Sequence, residues 1–346
     1  MIVRSGSTSI DLREPREGEI VGQGCPRVTV GVPVFNGELF VAETLNSLLK
    51  QTFSDLEIVI SDNASTDRTQ EICRAYAARD WRVRYYRNDV NRGAAWNHNR
   101  VFELARGEFF KWSAADDLCA PEFLTLCVAA LDRDPAAVMS ITQSLEIDEV
   151  GNALASVSVP NQTLLPIVPP GAPAHIRFRQ NIRLDHLCLS IFSLIRSDIL
   201  RQTVLQGNYP DADRVVLAHL ALFGHCVVVP KTAFFNRDHP GRFSRFYNGE
   251  RLRERAIWWD PSNVKRKSFP FWRELSELLR VVRRTPLEWP ERLRCYWEIV
   301  QWLQHKDHMR LLYEDATHYP RKWLVRHFPK AKVTWNWLWR NKERYS

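Results

Sequence analysis

The feature that most constrains the fold of this chain is a regular alternation of apolar, β-branched runs with segments of helical periodicity across residues 27–117. The first run, RVTVGVPVF at 27–35, predicts a buried strand that stops at the turn signal Asn36-Gly37. The alternation continues with strands predicted at 56–62, 83–88 and 108–114 and helices at 38–51, 67–80 and 94–105. Such alternation predicts right-handed βαβ units and an α/β fold with a mostly parallel sheet flanked by helices.

Charge and aromatic residues divide the chain into regions. Residues 1–26 are polar and predict a loosely ordered N-terminal arm, and residues 27–250 hold the α/β domain, with a donor half at 27–150 and an acceptor half at 151–250. Residues 251–346 contain 22 Lys and Arg against 11 Asp and Glu, and ten of the 13 tryptophans. This basic, Trp-rich and helical third fits attachment to an anionic membrane surface, or a helical appendage with inward Trp and solvated Arg side chains.

The cysteines and the apolar segments predict where the protein works. The seven cysteines are scattered and form no Cys-x-x-Cys pair, so we interpret them as reduced thiols. There is no apolar segment behind a basic start, and none reaches the roughly 18 apolar residues that span a bilayer. We therefore expect a cytoplasmic protein, with the basic third as its contact to the inner face of a membrane.

Acidic residues follow two of the predicted strands. SDNASTD ends the strand at 56–62 and AADD ends the strand at 108–114, on what should be one edge of the sheet, where ligands bind. Asp116 and Asp117 can hold Mg²⁺ or Mn²⁺ against a diphosphate, and Asp62 can accept hydrogen bonds from a base or ribose. The alternative is that Asp67 and Asp117 cap the helices that follow them.

Two blocks of this sequence resemble the family 2 glycosyltransferases. VTVGVPVFNG and LEIVISDNASTDRT match a first strand that ends in P-x-[YF]-N and a second in D-[DN]-x-S-T-D, and NRGAAWNHNRVFELARGEFFKWSAADD matches the family's next block without a gap. The resemblance covers about ninety residues and implies a GT-A fold, a nucleotide-sugar donor, a divalent cation (Mn²⁺ or Mg²⁺) and inversion at the anomeric carbon.

The resemblance assigns donor-binding residues by position. Pro33 and Asn36 would border the nucleotide pocket, and Asp62 would contact the base. Asn99 takes the place of the Asn in the family's A-R-N, while His98 replaces the Arg.

The metal motif departs from the family. Asp116 takes the place of the last acid of D-x-D, with Asp117 directly after it, but Ala114 stands where the first acid should be. Loss of one carboxylate should weaken cation binding unless another ligand substitutes. The resemblance suggests His239 as a third ligand, and Arg242 and Arg245 as bidentate partners of the diphosphate.

The resemblance also locates a catalytic base. The segment NYPDADRVVLAHLALFGHCVVVP aligns through Gly224 and puts Asp213 in the base position, at the start of a helix. Asp213 would accept the proton of the acceptor hydroxyl during a single displacement. In the alternative reading, Asp211 or Asp213 caps that helix.

With the resemblance, these residues predict transfer of a hexose-type sugar to a hydroxyl of a saccharide, glycolipid or other small acceptor. That the product is a surface glycan is implied by the resemblance to the family alone. A catalytically silent nucleotide-sugar-binding scaffold is the alternative that Ala114 suggests. Nucleic-acid binding through the basic third is not expected, because no zinc-finger spacing or RNA-binding motif accompanies the charge. The chain has no G-x-G-x-x-G after its first strand and no P-loop motif, which excludes those NAD and nucleotide sites.

Overall fold

A computed structural model describes residues 25–154, 168–169, 171–183, 188–242, 252–264, 269–305 and 308–317. The strands are β1 Val28–Val34, β2 Leu56–Asp62, β3 Val83–Arg87, β4 Phe109–Trp112, β5 Leu118–Cys119, β6 Ala137–Ile147, β7 Leu194–Arg196 and β8 His225–Arg237. The helices are α1 Val41–Leu49, α2 Thr69–Arg79, α3 Ala94–Glu103, α4 Phe123–Arg133, α5 Ala174–Arg183, α6 Ser197–Leu200, α7 Ala212–Phe223, α8 Leu252–Trp259, α9 Pro270–Arg284 and α10 Trp289–Gln304. Residues 1–24 of the predicted arm, most of the predicted loop at 156–175 and Arg245 lie outside the described residues.

The eight strands form one sheet in the order β3-β2-β1-β4-β7-β6-β8-β5. Four of the seven strand pairings are parallel, which confirms the mostly parallel sheet. In the parallel half the register pairs Val34 with Asp62 and Asp62 with Arg87, so β1, β2 and β3 end at the same edge. Because β4 also runs parallel to β1, the acidic segments that follow β2 and β4 lie at this edge, as predicted.

Apolar spacing explains why these segments adopt the predicted structures. β1 and β2 bury nearly every residue, as expected for strands covered on both faces. Helix α1 places Val41, Leu45 and Leu48 on one buried face at the spacing of an amphipathic helix. In the C-terminal third, helical periodicity predicts helices in WRELSELLRVVRR and ERLRCYWEIVQWLQ, and the structure confirms them as α9 and α10.

The second half of the domain differs from the sequence prediction in two places. The apolar run LCLSIFSLI at 187–195 predicts a further strand, but its described part is mostly a 3₁₀ helix at Leu189–Phe192, followed by only three residues of β7. A short apolar run is compatible with either structure, and Cys188 enters the segment in the left-handed region at φ 54°. The long strand β6 and helix α5 were not predicted.

The helices after residue 251 pack against the α/β domain. One apolar cluster joins Val281 of α9 and Ile299 and Trp302 of α10 to Val215 and Ala218 of α7. Trp259 and Trp302 are buried, as the reading with inward Trp side chains expects, whereas Trp289 and Trp297 are exposed. Attachment of this region to a membrane stays a prediction. Among the described helices, none has the length and apolar character needed to cross a bilayer.

Candidate active site

A pocket of about 1010 Å³ lies beyond the carboxyl ends of β1 and β4. It extends from the turn after β1 to the start of α7, with part of the C-terminal region as a further wall. Seven residues predicted for the site line this pocket, namely Pro33, Asn36, Asp116, Asp117, Asp213, His239 and Arg242. The strand ends and the base helix, although distant in sequence, therefore face one cavity.

Asp116 and His239 are in direct contact at one side of the pocket. The imidazole Nε2 lies 2.8 Å from Asp116 Oδ2, and the imidazole ring packs against Phe40 with centroids 4.8 Å apart. The residues belong to different segments, the end of β4 and the loop after β8. Folding thus joins two of the three side chains that the resemblance assigned to a metal.

The third of these side chains, Asp117, points into the sheet. Its Oδ1 accepts hydrogen bonds from Asn236 Nδ2 at 3.1 Å and from the Arg237 amide at 2.9 Å, while Oδ2 is buried with no hydrogen-bond partner in the described chain. Burial raises the pKa of the Asp117 carboxyl to about 7, and the charge of Asp116 adds to the rise. An orphaned carboxylate oxygen beside Asp116 is an arrangement that a cation would stabilise. As they stand, no three His, Cys, Asp or Glu side chains among the described residues are grouped as a metal site.

Arg237 organises this acidic strand end, and the sequence analysis assigned it no role. Its side chain is fully buried and donates to the Asp116 carbonyl at 2.9 Å and the Glu149 carbonyl at 2.6 Å, and it pairs with Glu43 at 2.6 Å. The guanidinium also lies over the Phe40 ring at 4.8 Å. Its position at the end of β8, beside the predicted ligand segment, is the one sequence signal that pointed to it.

Arg242 lines the pocket but is already paired inside the protein. Its Nη1 donates to Glu146 Oε1 at 2.9 Å, and its Nη2 donates to Asn236 Oδ1. These partners fix the guanidinium near Asp117, whose carboxylate Asn236 also contacts.

Asp62 is used to hold the loop after β2. Its carboxylate is fully buried, where Oδ1 accepts from the Ser65 amide at 2.8 Å and Oδ2 accepts from Tyr85 and Arg87, both at 2.7 Å. It does not line the pocket. Direct contact with a base stays a prediction, and the contacts observed assign Asp62 to shaping the loop.

The loop that Asp62 holds is bound in turn to the end of β1. Asn36 lies in the left-handed region at φ 51°. Its side-chain Oδ1 accepts a hydrogen bond from the main-chain amide of Thr66 at 2.9 Å, and its main-chain amide donates to Ser65 Oγ at 2.9 Å. An asparagine tolerates this backbone conformation better than most residues. Pro33 and Asn36 thus line a pocket edge that is rigid before any ligand binds.

A network of asparagine side chains lies under this edge and was missed by the sequence analysis. Asn63 Nδ2 donates to Asn91 Oδ1 at 2.9 Å, Asn97 Nδ2 donates to the Ser61 carbonyl at 2.8 Å, and Asn88 bridges Asn63 and Asn97 at 3.2 Å. The first three of these, Asn63, Asn91 and Asn97, line the pocket. Asparagine is common in loops for other reasons, so its abundance here was not a distinctive signal.

Asn99 does not line the pocket but holds the chain that does. Its Nδ2 donates to the Gln206 carbonyl at 2.8 Å, and its Oδ1 accepts from the Gln206 amide at 2.9 Å. Gln206 and His98 both line the pocket. Donor contact by Asn99 stays a prediction, whereas burial lowers the pKa of His98 and keeps that pocket-lining ring neutral.

Asp213 lies in the first turn of α7 and lines the pocket. The N-cap of α7 is Asp211, at φ 63°, and its side chain makes no capping hydrogen bond, which removes that part of the capping alternative. Behind α7, burial raises the pKa of Glu274 in α9 to about 8, while Arg214 lowers it and Asp211 and Asp213 raise it. The C-terminal helices thus contribute to the electrostatic surroundings of the candidate base.

Helix α8 and the turn after it form a wall of the pocket that the sequence analysis did not predict. Ile257, Trp258, Trp259 and Pro261 line it. The wall packs closely against the residue before α3: a Cβ added at Gly93 would lie 2.4 Å from the Trp259 carbonyl oxygen. The basic third therefore contributes directly to the candidate site.

Comparison with known proteins identifies the family. Residues 29–200 match the model of glycosyl transferase family 2. The chain is 30% identical to the chondroitin synthase of Escherichia coli over 131 residues, which is 38% of this chain and 19% of that protein. It is 32% identical to the putative glycosyltransferase EpsE of Bacillus subtilis over 151 residues, which is 43% of this chain and 52% of EpsE. In both cases the match spans about half of the relative or less.

Solved structures show the same fold. The structure of residues 1–349 of S. aureus TarS in complex with UDP-GlcNAc aligns with a TM-score of 0.58 at 16% identity, covering 84% of this chain and 79% of that one. A second structure of TarS 1–349 aligns with a TM-score of 0.56 at 17% identity, over 80% of this chain and 71% of that one. The sheet of this chain is thus the GT-A sheet, and with the sequence match this places the protein in glycosyl transferase family 2.

Proposed function

We propose that this protein transfers a hexose-type sugar from a nucleoside diphosphate sugar to an acceptor hydroxyl, with inversion at the anomeric carbon. The observation that carries the proposal is that one pocket holds both the acidic strand end, with Asp116 against His239, and the candidate base Asp213. The complex of TarS with UDP-GlcNAc supports a nucleotide sugar as the donor.

In the proposed reaction the acceptor oxygen forms a bond to the anomeric carbon as the bond from that carbon to the diphosphate breaks. The acceptor proton moves to the Asp213 carboxylate, and the bonding electron pair leaves with the nucleoside diphosphate. One base and one displacement give inversion, in contrast to the paired carboxylates of retaining hydrolases.

The donor occupies the strand-end side of the pocket in this proposal. Pro33 and Asn36 border the nucleotide, and Arg242, which lines the same pocket, would bind the diphosphate, as the sequence also predicts for Arg245. Asp116 and His239, which are already in contact, would hold Mn²⁺ or Mg²⁺, and the sequence predicts Asp117 as their partner in binding it. A bound cation would offset the charge of the leaving diphosphate.

The acceptor is a saccharide or a lipid-linked saccharide used in polysaccharide or glycolipid synthesis, and the reaction takes place at the cytoplasmic face of a membrane.

Exposed apolar side chains on α10, at Trp289, Leu293, Trp297 and Val300, recur at a spacing that puts them on one face of the helix. The net charge of +11 in residues 251–346 suits an anionic lipid surface. In a flotation assay, the wild type should float with phosphatidylserine vesicles, whereas Trp297→Gln should not. Equal flotation of the two proteins would contradict membrane binding through α10.

Thermal unfolding against UDP, GDP, dTDP and CDP, each with and without Mn²⁺, tests the donor site. A nucleotide at about 100 times its dissociation constant adds about 2.7 kcal/mol to the free energy of unfolding. We expect one nucleotide to raise the melting temperature, with a larger shift in Mn²⁺. A shift independent of Mn²⁺ contradicts the metal, and no shift with any nucleotide contradicts the donor site.

A catalytically silent nucleotide-sugar-binding scaffold is the second candidate, and the observation that favours it is Ala114 in place of the first acid of the metal motif. The two candidates differ in turnover. A protein that binds a nucleotide sugar but releases no nucleoside diphosphate, with any of a panel of glycosides as acceptor, would support the scaffold.

A further inference from the structure

Gln206 has a buried side chain with an unused hydrogen-bonding group in the wall of the pocket. The residue is only 5% exposed, and its Oε1 has no hydrogen-bond partner among the described residues. A buried amide oxygen without a partner is unfavourable to folding, and an apolar side chain of similar size would avoid that loss. The side chain therefore calls for an explanation other than stability.

The main chain around Gln206 is fixed from two sides. Asn99 of α3 bonds both the amide and the carbonyl of Gln206, at 2.9 and 2.8 Å. Two residues earlier, the Val204 amide donates to Nδ1 of the buried His219 in α7 at 3.2 Å. The segment 204–206 is thus held between α3, which lies at the strand ends, and α7, which carries Asp213.

The backbone directly before Gln206 is in an unfavourable conformation. Leu205 lies in the left-handed region at φ 53°, which a leucine rarely adopts because its Cβ crowds the following carbonyl. Such conformations persist where surrounding contacts enforce them, and they concentrate at ligand sites. Here the enforcing contacts are those of Asn99 and His219.

We propose that the side-chain amide of Gln206 hydrogen-bonds a sugar hydroxyl in the reaction chamber and thereby helps to select the substrate. A hydroxyl both donates and accepts, so it can satisfy either end of the amide. Gln206 and Asp213 line the same pocket, so the segment that carries the amide borders the cavity that holds the candidate base. The inference rests on the proposed function, and either the donor sugar or the acceptor sugar can supply the hydroxyl.

The test compares Gln206→Met with the wild type and with Gln202→Met, a matched change at an exposed glutamine four residues earlier. Dissociation constants are measured for UDP, GDP, dTDP and CDP and for UDP-glucose, GDP-mannose, dTDP-glucose and CDP-glucose. Release of nucleoside diphosphate is followed with a panel of methyl glycosides as acceptors, and melting temperatures are recorded without ligand.

We expect Gln206→Met to melt no lower than the wild type, to bind free nucleotides equally and to lose about tenfold in kcat/KM, which corresponds to about 1.4 kcal/mol. Weaker binding of the nucleotide sugar alone identifies the donor hydroxyl, and a raised KM for the glycoside identifies the acceptor hydroxyl. Unchanged donor binding and unchanged turnover in Gln206→Met overturn the inference while leaving the proposed function intact. A wild type that binds no nucleotide sugar contradicts the proposed function itself, and the inference with it.

Discussion

The side chain of Asn99 hydrogen-bonds the main chain of Gln206 in both directions, with Nδ2 donating to the carbonyl at 2.8 Å and Oδ1 accepting from the amide at 2.9 Å. These residues are 107 positions apart, and the contact ties α3 to the segment that leads into α7, the helix of the candidate base Asp213. The pocket wall is therefore set by a side chain that does not itself line the pocket.

Replacing Asn99 with Leu should loosen this wall. Both hydrogen bonds are lost and the partly buried Gln206 main chain is left unpaired, so we expect the free energy of unfolding to fall by about 2 kcal/mol. Urea unfolding measures the change. The control is Asn46→Leu at an exposed position of α1, expected to have little effect. Equal stability of the two variants would show that the contact does not support the fold.

His219 should make stability depend on pH. Burial lowers its pKa from 6.5 to about 4, and Arg284 adds to the lowering, so the folded protein keeps the ring neutral while the unfolded chain takes up a proton. This contribution to stability is present above pH 6.5 and is lost as the pH falls toward 4. We expect the wild type to lose about 2 to 3 kcal/mol more than His219→Gln between pH 7.5 and 4.5, measured by urea unfolding. Parallel pH profiles for the two proteins would contradict this.

Gly93 should be intolerant of a side chain because α8 packs against it. An added Cβ would lie 2.4 Å from the Trp259 carbonyl and 2.8 Å from Pro261, and Gly93 has φ +87°. Gly151, at φ +90° with nothing within 4 Å of an added Cβ, is the matched control for backbone strain. We expect Gly151→Ala to cost about 1 kcal/mol and Gly93→Ala about 3 kcal/mol, measured by thermal unfolding. Similar costs at both positions would mean that α8 does not close on α3.

Substitution of Asp62 distinguishes a structural role of this residue from direct contact with a ligand. Asp62→Asn removes a buried charge that accepts from Tyr85 and Arg87 and should lower the free energy of unfolding by about 3 kcal/mol. Asp89→Asn, at an exposed position nearby, should change it by less than about 0.5 kcal/mol. An Asp62→Asn protein of normal stability that no longer binds nucleotide would instead support direct contact with the base.

The first half of the fold could be predicted because its signals are local. β1 and β2 are continuous apolar runs, and their ends carry the turn and acidic residues that mark a ligand edge. The family pattern assigned both Asp116 and His239 to a metal, although it did not predict their direct contact. The fixing of this strand end by Arg237 depends on contacts up to 194 residues apart. No periodicity carries such information.

The pocket wall formed by α8 and the role of Gln206 could not be predicted, because both depend on contacts between distant parts of the chain. Trp258 and Trp259 lie in a basic, Trp-rich region that membrane binding explains equally well, and only the packing of α8 on α3 brings them to the pocket. The proposed role of Gln206 depends on the left-handed backbone conformation of Leu205 and on the hydrogen bonds from Asn99. No sequence pattern predicts either of them.

Nucleoside diphosphate release by Asp213→Asn, measured with saturating donor and acceptor beside the dissociation constant for the donor, tests the central claim most directly. The account predicts that release falls by about 100-fold or more, because the acceptor hydroxyl loses its base, while donor binding is unchanged. The matched variant Asp211→Asn, two residues earlier at the N-cap of α7 and at the same pocket, should keep most of the activity. Release by Asp213→Asn at a rate close to that of the wild type would contradict the assignment of the base and the mechanism built on it.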